Sequence, residues 1–253
     1  MKRILLIGIG AGGIELLTVQ AIEALRRVDV FFMFDKGEEK SDLVHLRREI
    51  CARYCTDKPY RVVEVESPPR EANGSYKSGV ASWHAARAER TRAAIDEALA
   101  DGQVGGFLVW GDPAFYDSTL RIIEMIKERA VDAFEYEVVP GIGSVQLLAA
   151  RHRIALNAIG EPVLITTGRK LAENFPTGYG SVVVFLDNGD GLRSLAGRKA
   201  FIYWGAYLGT THEILVSGPV EEVLDGILEL RARKRSERGW IMDIYLLCQP
   251  PSC

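Results

Sequence analysis

Residues 4–9 read Ile-Leu-Leu-Ile-Gly-Ile, a run with no polar side chain and no alternation. A strand that is apolar toward both faces has to be covered on both faces. It therefore belongs at the centre of a parallel sheet flanked by helices. The same kind of run returns at Val30–Phe34 (VFFMF) and at 104–110 (VGGFLVW). Between the first two, Leu16, Val19, Ile22 and Leu25 recur at helical spacing. Between the second and third, Leu43, Leu46 and Ile50 do the same, after Ser41 as a helix cap. Strand and helix patterns that alternate in this way predict an α/β fold.

The remainder of the chain extends the pattern. Helices are expected over 15–27, from 41, over 82–100 and over 118–130, with a short strand at 61–66. Residues 67–78 (SPPREANGSYKS) carry turn chemistry and read as an irregular loop. The second half has more strands and fewer long helices, with strands expected at 134–139, 162–166, 181–186, 199–204, 213–217 and 240–248. A helix follows Pro219, its proline in the first turn. The shift in pattern predicts two α/β domains, 1–113 and 118–253, joined near 112–118. The cluster Arg231 to Arg238 (RARKRSER) reads as a solvated helix end.

Charge and cysteine content narrow the function. Thirty-one Lys and Arg against 34 Asp and Glu leave a net charge of −3, which argues against a nucleic-acid binder. No stretch reaches the ~18 apolar residues of a membrane span. The N-terminal apolar run is too short for a signal peptide, and glycines interrupt it, so a cytoplasmic protein is expected. Cys51, Cys55, Cys248 and Cys253 form no CxxC pair and have no histidine at zinc-site spacing. No metal and no disulfide is expected.

Gly8, Gly10 and Gly13 formally satisfy GxGxxG between a strand and a helix. That context fits a dinucleotide fingerprint. Asp29 follows at about 20 residues, near the spacing of a ribose-binding acid, but it precedes the second strand. Asp35 follows that strand and keeps a nicotinamide oxidoreductase open as an alternative. A tight turn with no ligand is the other reading of these glycines.

Five segments, taken in order, point elsewhere: IGIGAGG…LLTVQAI at 7–22, GDPAFY at 111–116, VVPGIGSVQLLAA at 138–150, ITTGR at 165–169 and GAYLGTTHEILVSGPVEEV at 205–223. On these the chain resembles the tetrapyrrole methyltransferases, which use S-adenosylmethionine. The resemblance implies two α/β domains with the folded cofactor between them, and a homodimer. It places cofactor contacts on Gly111, Asp112, Phe115, Gly143, Ser144 and Leu186. It assigns the adenine pocket to Tyr203, Trp204, Gly205, Ala206, Ile241, Met242 and Asp243. Asp112 could equally hold the GDP turn. The segments FFMFDKGEEKSDLVHLRREIC at 31–51, YWGAYLGTTHEI at 203–214 and GWIMDIYLL at 239–247 are most similar to members that methylate C-1 of precorrin-5 and release its acetyl group as acetate. The sequence departs from the family at Gly12 and Gly13, where relatives often carry Pro and Asp. It departs again at Leu186, where several carry Met.

Such a substrate carries several carboxylates, for which Arg and Lys are the natural clamps. The candidates are Lys36, Arg47, Arg48, Lys77 and Arg87, with Gly10 approached by substrate in the first loop. Loss of an acetyl group needs water and an acid or base. Asp35, Tyr76, His84 and Tyr116 are the candidates for that work. A tetrapyrrole methylase for another ring position or a non-corrin substrate, and a tetrapyrrole carrier without turnover, remain alternatives.

Overall fold

The computed structural model describes residues 1–34, 41–68, 76–130 and 134–248; the side chains of 41–44, 76–78 and 80 fall outside the description. The chain divides into two compact units, Met1–Gly143 and Ser144–Cys253. The expected junction at 112–118 falls earlier than this division. Residues after 118 still belong to the first sheet, because the strand at 135–139 pairs with the strand at 3–8.

The first unit contains β1 (Arg3–Gly8), α1 (Val19–Arg27), β2 (Val30–Phe34), α2 (Ser41–Tyr54), β3 (Arg61–Val65), α3 (Tyr76–Ala98), β4 (Val104–Val109), α4 (Thr119–Arg129) and β5 (Glu135–Val139). Its five-stranded sheet is ordered β3-β2-β4-β1-β5, and every pairing is parallel. Ile4, Leu5, Leu6 and Ile7 are wholly buried, as a two-faced central strand requires. Leu5 and Ile7 meet α1 and α2 on one face. Ile4 and Leu6 meet α3 and α4 on the other.

Two helices start away from their expected positions. A 3-10 turn occupies Ile14–Leu16, and α1 begins only at Val19. Thr18 is the reason: its Oγ1 accepts from the Ala21 N–H at 3.0 Å and caps the helix there. The long helix α3 begins at Tyr76, within the stretch read as a loop.

The second unit contains α5 (Ser144–His152), β6 (Val163–Thr167), α6 (Gly168–Glu173), β7 (Ser181–Phe185), α7 (Asp190–Arg193), β8 (Phe201–Ala206), β9 (Ile214–Pro219), α8 (Val220–Arg238) and β10 (Asp243–Cys248). Its sheet is ordered β6-β7-β10-β8-β9. Only β6 and β7 pair in parallel; the other pairings are antiparallel. The core lies between this sheet and α6, α7 and α8, around Trp204, Tyr245 and Ile227. Gly205, next to Trp204, gives room to Leu148 of α5. The short helices α6 and α7 were not expected. The basic cluster continues α8 as far as Arg238, and Gly239 ends it in the left-handed region. Most of that cluster is solvated, but Arg231 is buried, which corrects the reading of the whole run as a solvated end.

Cys51, Cys55 and Cys248 are buried. Among the described residues no helix is long and apolar enough to cross a membrane.

Asp29 fastens the amino-terminal edge of the first sheet. One carboxylate oxygen accepts from the Val104 N–H at 2.7 Å, the other from Lys58 Nζ at 2.6 Å. Burial alone would raise this carboxyl; the Lys58 and Val104 donors outweigh it and hold the group below its ordinary value. A depressed carboxylate stabilises the fold above its unfolded pKa of about 4, and the gain is lost as pH falls through the folded value. Asp29→Asn should therefore lower the melting temperature at pH 7, and the gap to wild type should close on acidification below about pH 4. A thermal scan against pH reads this. The tightest backbone packing gives a second expectation. A Cβ on Gly141 would strike the Gly111 carbonyl oxygen and Gly8, so Gly141→Ala should cost about 1–3 kcal/mol. Gly226, in α8, has open space around it, and Gly226→Ala should stabilise by about 0.5–1 kcal/mol in the same denaturation assay.

Candidate functional site

The connections β1-α1-β2-α2-β3 run over one face of the first sheet, and β3-α3-β4-α4-β5 run back over the other. At the neighbouring strands β1 and β4 the outgoing chains therefore part in opposite directions. In open parallel sheets that switch point, beyond the carboxyl ends, is where ligands bind. Here the two loops rejoin immediately. Gly10 N–H donates to the Gly111 carbonyl at 3.2 Å, and Gly111 N–H donates to the Gly10 carbonyl at 2.8 Å. Both glycines have positive φ, +79° and +68°, which favours residues without a Cβ.

Asp112 adds a third loop. One of its oxygens accepts from Ala114 N–H at 2.8 Å and closes the GDP turn. The other accepts from Gly141 N–H at 2.9 Å, in the turn after β5. Both oxygens of Asp112 thus serve the loops, the second of its two expected roles. A Cβ on Gly8 would lie 2.6 Å from the Gly141 nitrogen, and one on Gly10 would meet Leu16. The close backbone approach that these glycines permit is thus made by the chain itself. Asp29 stands at the opposite, amino-terminal edge of the sheet, away from the glycine loop. Both findings weigh against a dinucleotide fingerprint. Gly10, expected to meet substrate, is buried against Gly111 and Leu16.

Gly111 differs from its neighbours. A Cβ there would meet nothing nearer than the Gly143 Cα at 3.9 Å, so its outer side is open. Beyond it, Phe115 is 38% exposed and Tyr116 is 47% exposed. Tyr116 also has φ +52°, a strained position for an aromatic residue. Burial raises the Tyr116 phenol above its ordinary value.

Arg47 and Arg87 are buried on α2 and α3. Arg47 Nε donates to the Leu108 carbonyl at 3.1 Å. That carbonyl lies beyond the short β2–β4 pairing, which ends at Phe31↔Gly106. Arg48, in contrast, forms an exposed ion pair with Glu64 at 3.1 Å. His84 is half-buried, with its ring 5.3 Å from that of Trp83. Asp35 and Lys36 lie outside the described residues. Tyr76 and Lys77 begin α3, and their side chains lie outside the description.

In the second unit, Leu186 follows β7 with φ +51° and 65% exposure, an apolar side chain held out at a strained turn. The next residue, Asp187, is buried. Its oxygens accept from the N–H groups of Gly189 (2.8 Å), Gly191 (3.0 Å) and Leu192 (2.8 Å), and from the Tyr245 hydroxyl (2.7 Å). Asp243 accepts from Trp204 Nε1 at 3.0 Å and Arg231 Nε at 2.9 Å. Arg231 also donates to the carbonyls of Asn188 (3.2 Å) and Asp187. Burial pushes the Asp243 carboxyl up, against the pull of Arg231 and Trp204. The side chains of Trp204 and Asp243 are thus committed to the interior. Met242 offers its carbonyl to Tyr207 N–H at 2.9 Å. Tyr203 packs beside Phe201 and His152, at ring distances of 4.9 and 5.3 Å. Ala206 is buried, Ile241 packs against the core, and Ser144 opens α5.

Asp187, Arg231 and Tyr245 were not singled out from the sequence. The only signal was LDNGD at 186–190, an acid before a turn at the end of a strand. Arg231→Met would leave Asp243 buried without its cation, a loss of about 3–5 kcal/mol. The double variant Arg231→Met/Asp243→Leu should lose clearly less than the sum of the single losses in thermal unfolding. Additive losses would show that the two groups do not act as a pair.

The Tetrapyrrole (Corrin/Porphyrin) Methylases family matches residues 3–224. A precorrin-6A synthase [deacetylating] from Sinorhizobium sp is 52% identical over 248 residues, covering 98% of this chain and 95% of the relative. The crystal structure of a cobalamin synthesis related protein from Corynebacterium diphtheriae superposes with a TM-score of 0.83 at 39% identity, covering 98% of this chain and 99% of that one. Uroporphyrin-III C-methyl transferase from Thermus thermophilus, complexed with S-adenosyl homocysteine, shares the fold at a TM-score of 0.58 and 21% identity, over 97% of each chain. The chain belongs to the tetrapyrrole (corrin/porphyrin) methylase family.

Proposed function

We propose that this protein is an S-adenosylmethionine-dependent C-methyltransferase that methylates C-1 of precorrin-5 and releases the acetyl group as acetate. The observation that carries this reading is the near full-length match to the deacetylating precorrin-6A synthase. The related methyltransferase complexed with S-adenosyl homocysteine supports the donor.

The residues present fit such a donor. An adenosyl group wants apolar walls and main-chain polar atoms. Phe115 and Leu186 hold apolar surface outward at strained or tightly turned loops, and Gly111 offers backbone with no Cβ in the way. On this reading Gly111, Phe115, Gly143, Ser144 and Leu186 hold the donor. The main chain of Tyr203 to Ala206 and of Ile241 to Asp243 serves the base. Asp112, Asp243 and Trp204 act one step back, by fixing the loops that carry these groups.

When bound, the donor would supply an electrophilic methyl group for in-line transfer to a ring carbon, its sulfur leaving as the neutral thioether of S-adenosylhomocysteine. Orientation carries most of such a reaction. The chain's own task is to hold the macrocycle by its carboxylates and to exclude water until acetate has to leave. Tyr116, in a strained loop, is a candidate for proton transfer. His84 and Asp35 are further candidates for proton transfer, as is Tyr76.

Incubation with methyl-labelled S-adenosylmethionine and precorrin-5 tests the reading. One methyl group should enter the pigment for each acetate released. Methylation without acetate would assign the chain to another ring position. A lack of any transfer, with the donor bound, would favour a carrier.

A further inference from the structure

Trp83 and Arg87 stand one turn apart on α3, on the same helix face. The Arg87 guanidinium carbon lies 3.9 Å from the centre of the Phe34 ring and 4.6 Å from that of Trp83. Trp83 is anchored in turn, its Nε1 donating to the Pro68 carbonyl at 2.9 Å. The guanidinium lies over both rings, and few of its donors are used. Nη1 donates to the neutral Ser118 Oγ at 2.9 Å, and Nε is buried with no partner.

The charge is equally unmet. Arg87 is only 6% exposed, and among the described residues no carboxylate pairs with it. Asp117 acts on it from longer range, as it also acts on Arg47. One Asp117 oxygen already accepts from Thr119 N–H at 2.6 Å. Asp117 thus acts on both buried guanidinium groups near the carboxyl edge of the sheet. A buried cation with an unmet N–H is unfavourable in itself. A carboxylate entering alongside it gains a charge-assisted bond that no described residue supplies.

We infer that Arg87, held over the rings of Phe34 and Trp83, binds an acetate or propionate side chain of the tetrapyrrole substrate. This rests on the methyltransferase reading above. Two aromatic neighbours suit arginine, because a guanidinium can lie over a ring and still present a fork of donors. A monoanion fits better than a phosphate, since the partner already in place, Ser118, is neutral.

The test compares wild type with Arg87→Met and Arg87→Lys in the full chain. Four quantities are measured: KM and kcat for precorrin-5, the Kd of S-adenosylhomocysteine by calorimetry, and the melting temperature. Arg87→Met should raise KM at least tenfold and leave the Kd of S-adenosylhomocysteine unchanged. Its melting temperature should hold or rise, because an apolar chain replaces an unpaired buried charge. Arg87→Lys keeps the charge but loses the fork, and should give an intermediate KM. An unchanged KM in both variants overturns the inference, and so does a lowered melting temperature with KM intact. If Arg87→Met does not fold, the KM of Arg87→Lys decides. Wild type that leaves precorrin-5 untouched refutes the underlying reading, and this inference falls with it.

Discussion

Everything at the carboxyl edge of the first sheet depends on three chain segments being allowed to touch. Gly8, Gly111 and Gly141 end or follow β1, β4 and β5, and no Cβ would fit at Gly8 or Gly141. The Gly10–Gly111 hydrogen-bond pair closes two of the loops upon each other, and Asp112 ties in the third with a charged acceptor. A charged acceptor for a backbone N–H is stronger than a neutral one. The loop that carries Phe115, Tyr116 and Ser118 therefore leaves a fixed base. That rigidity is what allows Tyr116 to remain in an unfavourable backbone region.

Most of the architecture was legible because burial writes itself into local pattern. The continuous apolar runs of β1, β2 and β4 identified a covered parallel sheet, and the structure has them there. The misses have specific causes. A threonine cap moved the start of α1, and a capping preference competes poorly with a strong apolar repeat when read from sequence alone. Helices α6 and α7 are too short to show a period. The GxGxxG pattern was ambiguous because glycine reports close approach without saying what approaches. In this fold the chain approaches itself.

The site was legible to a different degree. Residues in contiguous motifs, such as Gly111, Asp112 and Leu186, could be named from likeness. Asp187, Arg231 and Tyr245, which join Asp243 in one network, could not, because they come from the turn after β7, from α8 and from β10 and meet only in the folded unit. Arg87 lies between these cases. It could be named as a clamp candidate, but its ring neighbour Phe34 lies on a distant strand.

The second sheet places its last strand in the middle. Until β10 arrives, β6 and β7 form one fragment and β8 and β9 another, with no hydrogen-bonded link between them. During synthesis the ribosome must therefore deliver nearly the whole unit before either fragment can bury its inner edge. The first sheet, closed by residue 139, is free to form well ahead of it. The nascent second half is thus the stretch most in need of chaperone protection, and loss of β10 would split its sheet at the centre rather than fray it at the rim.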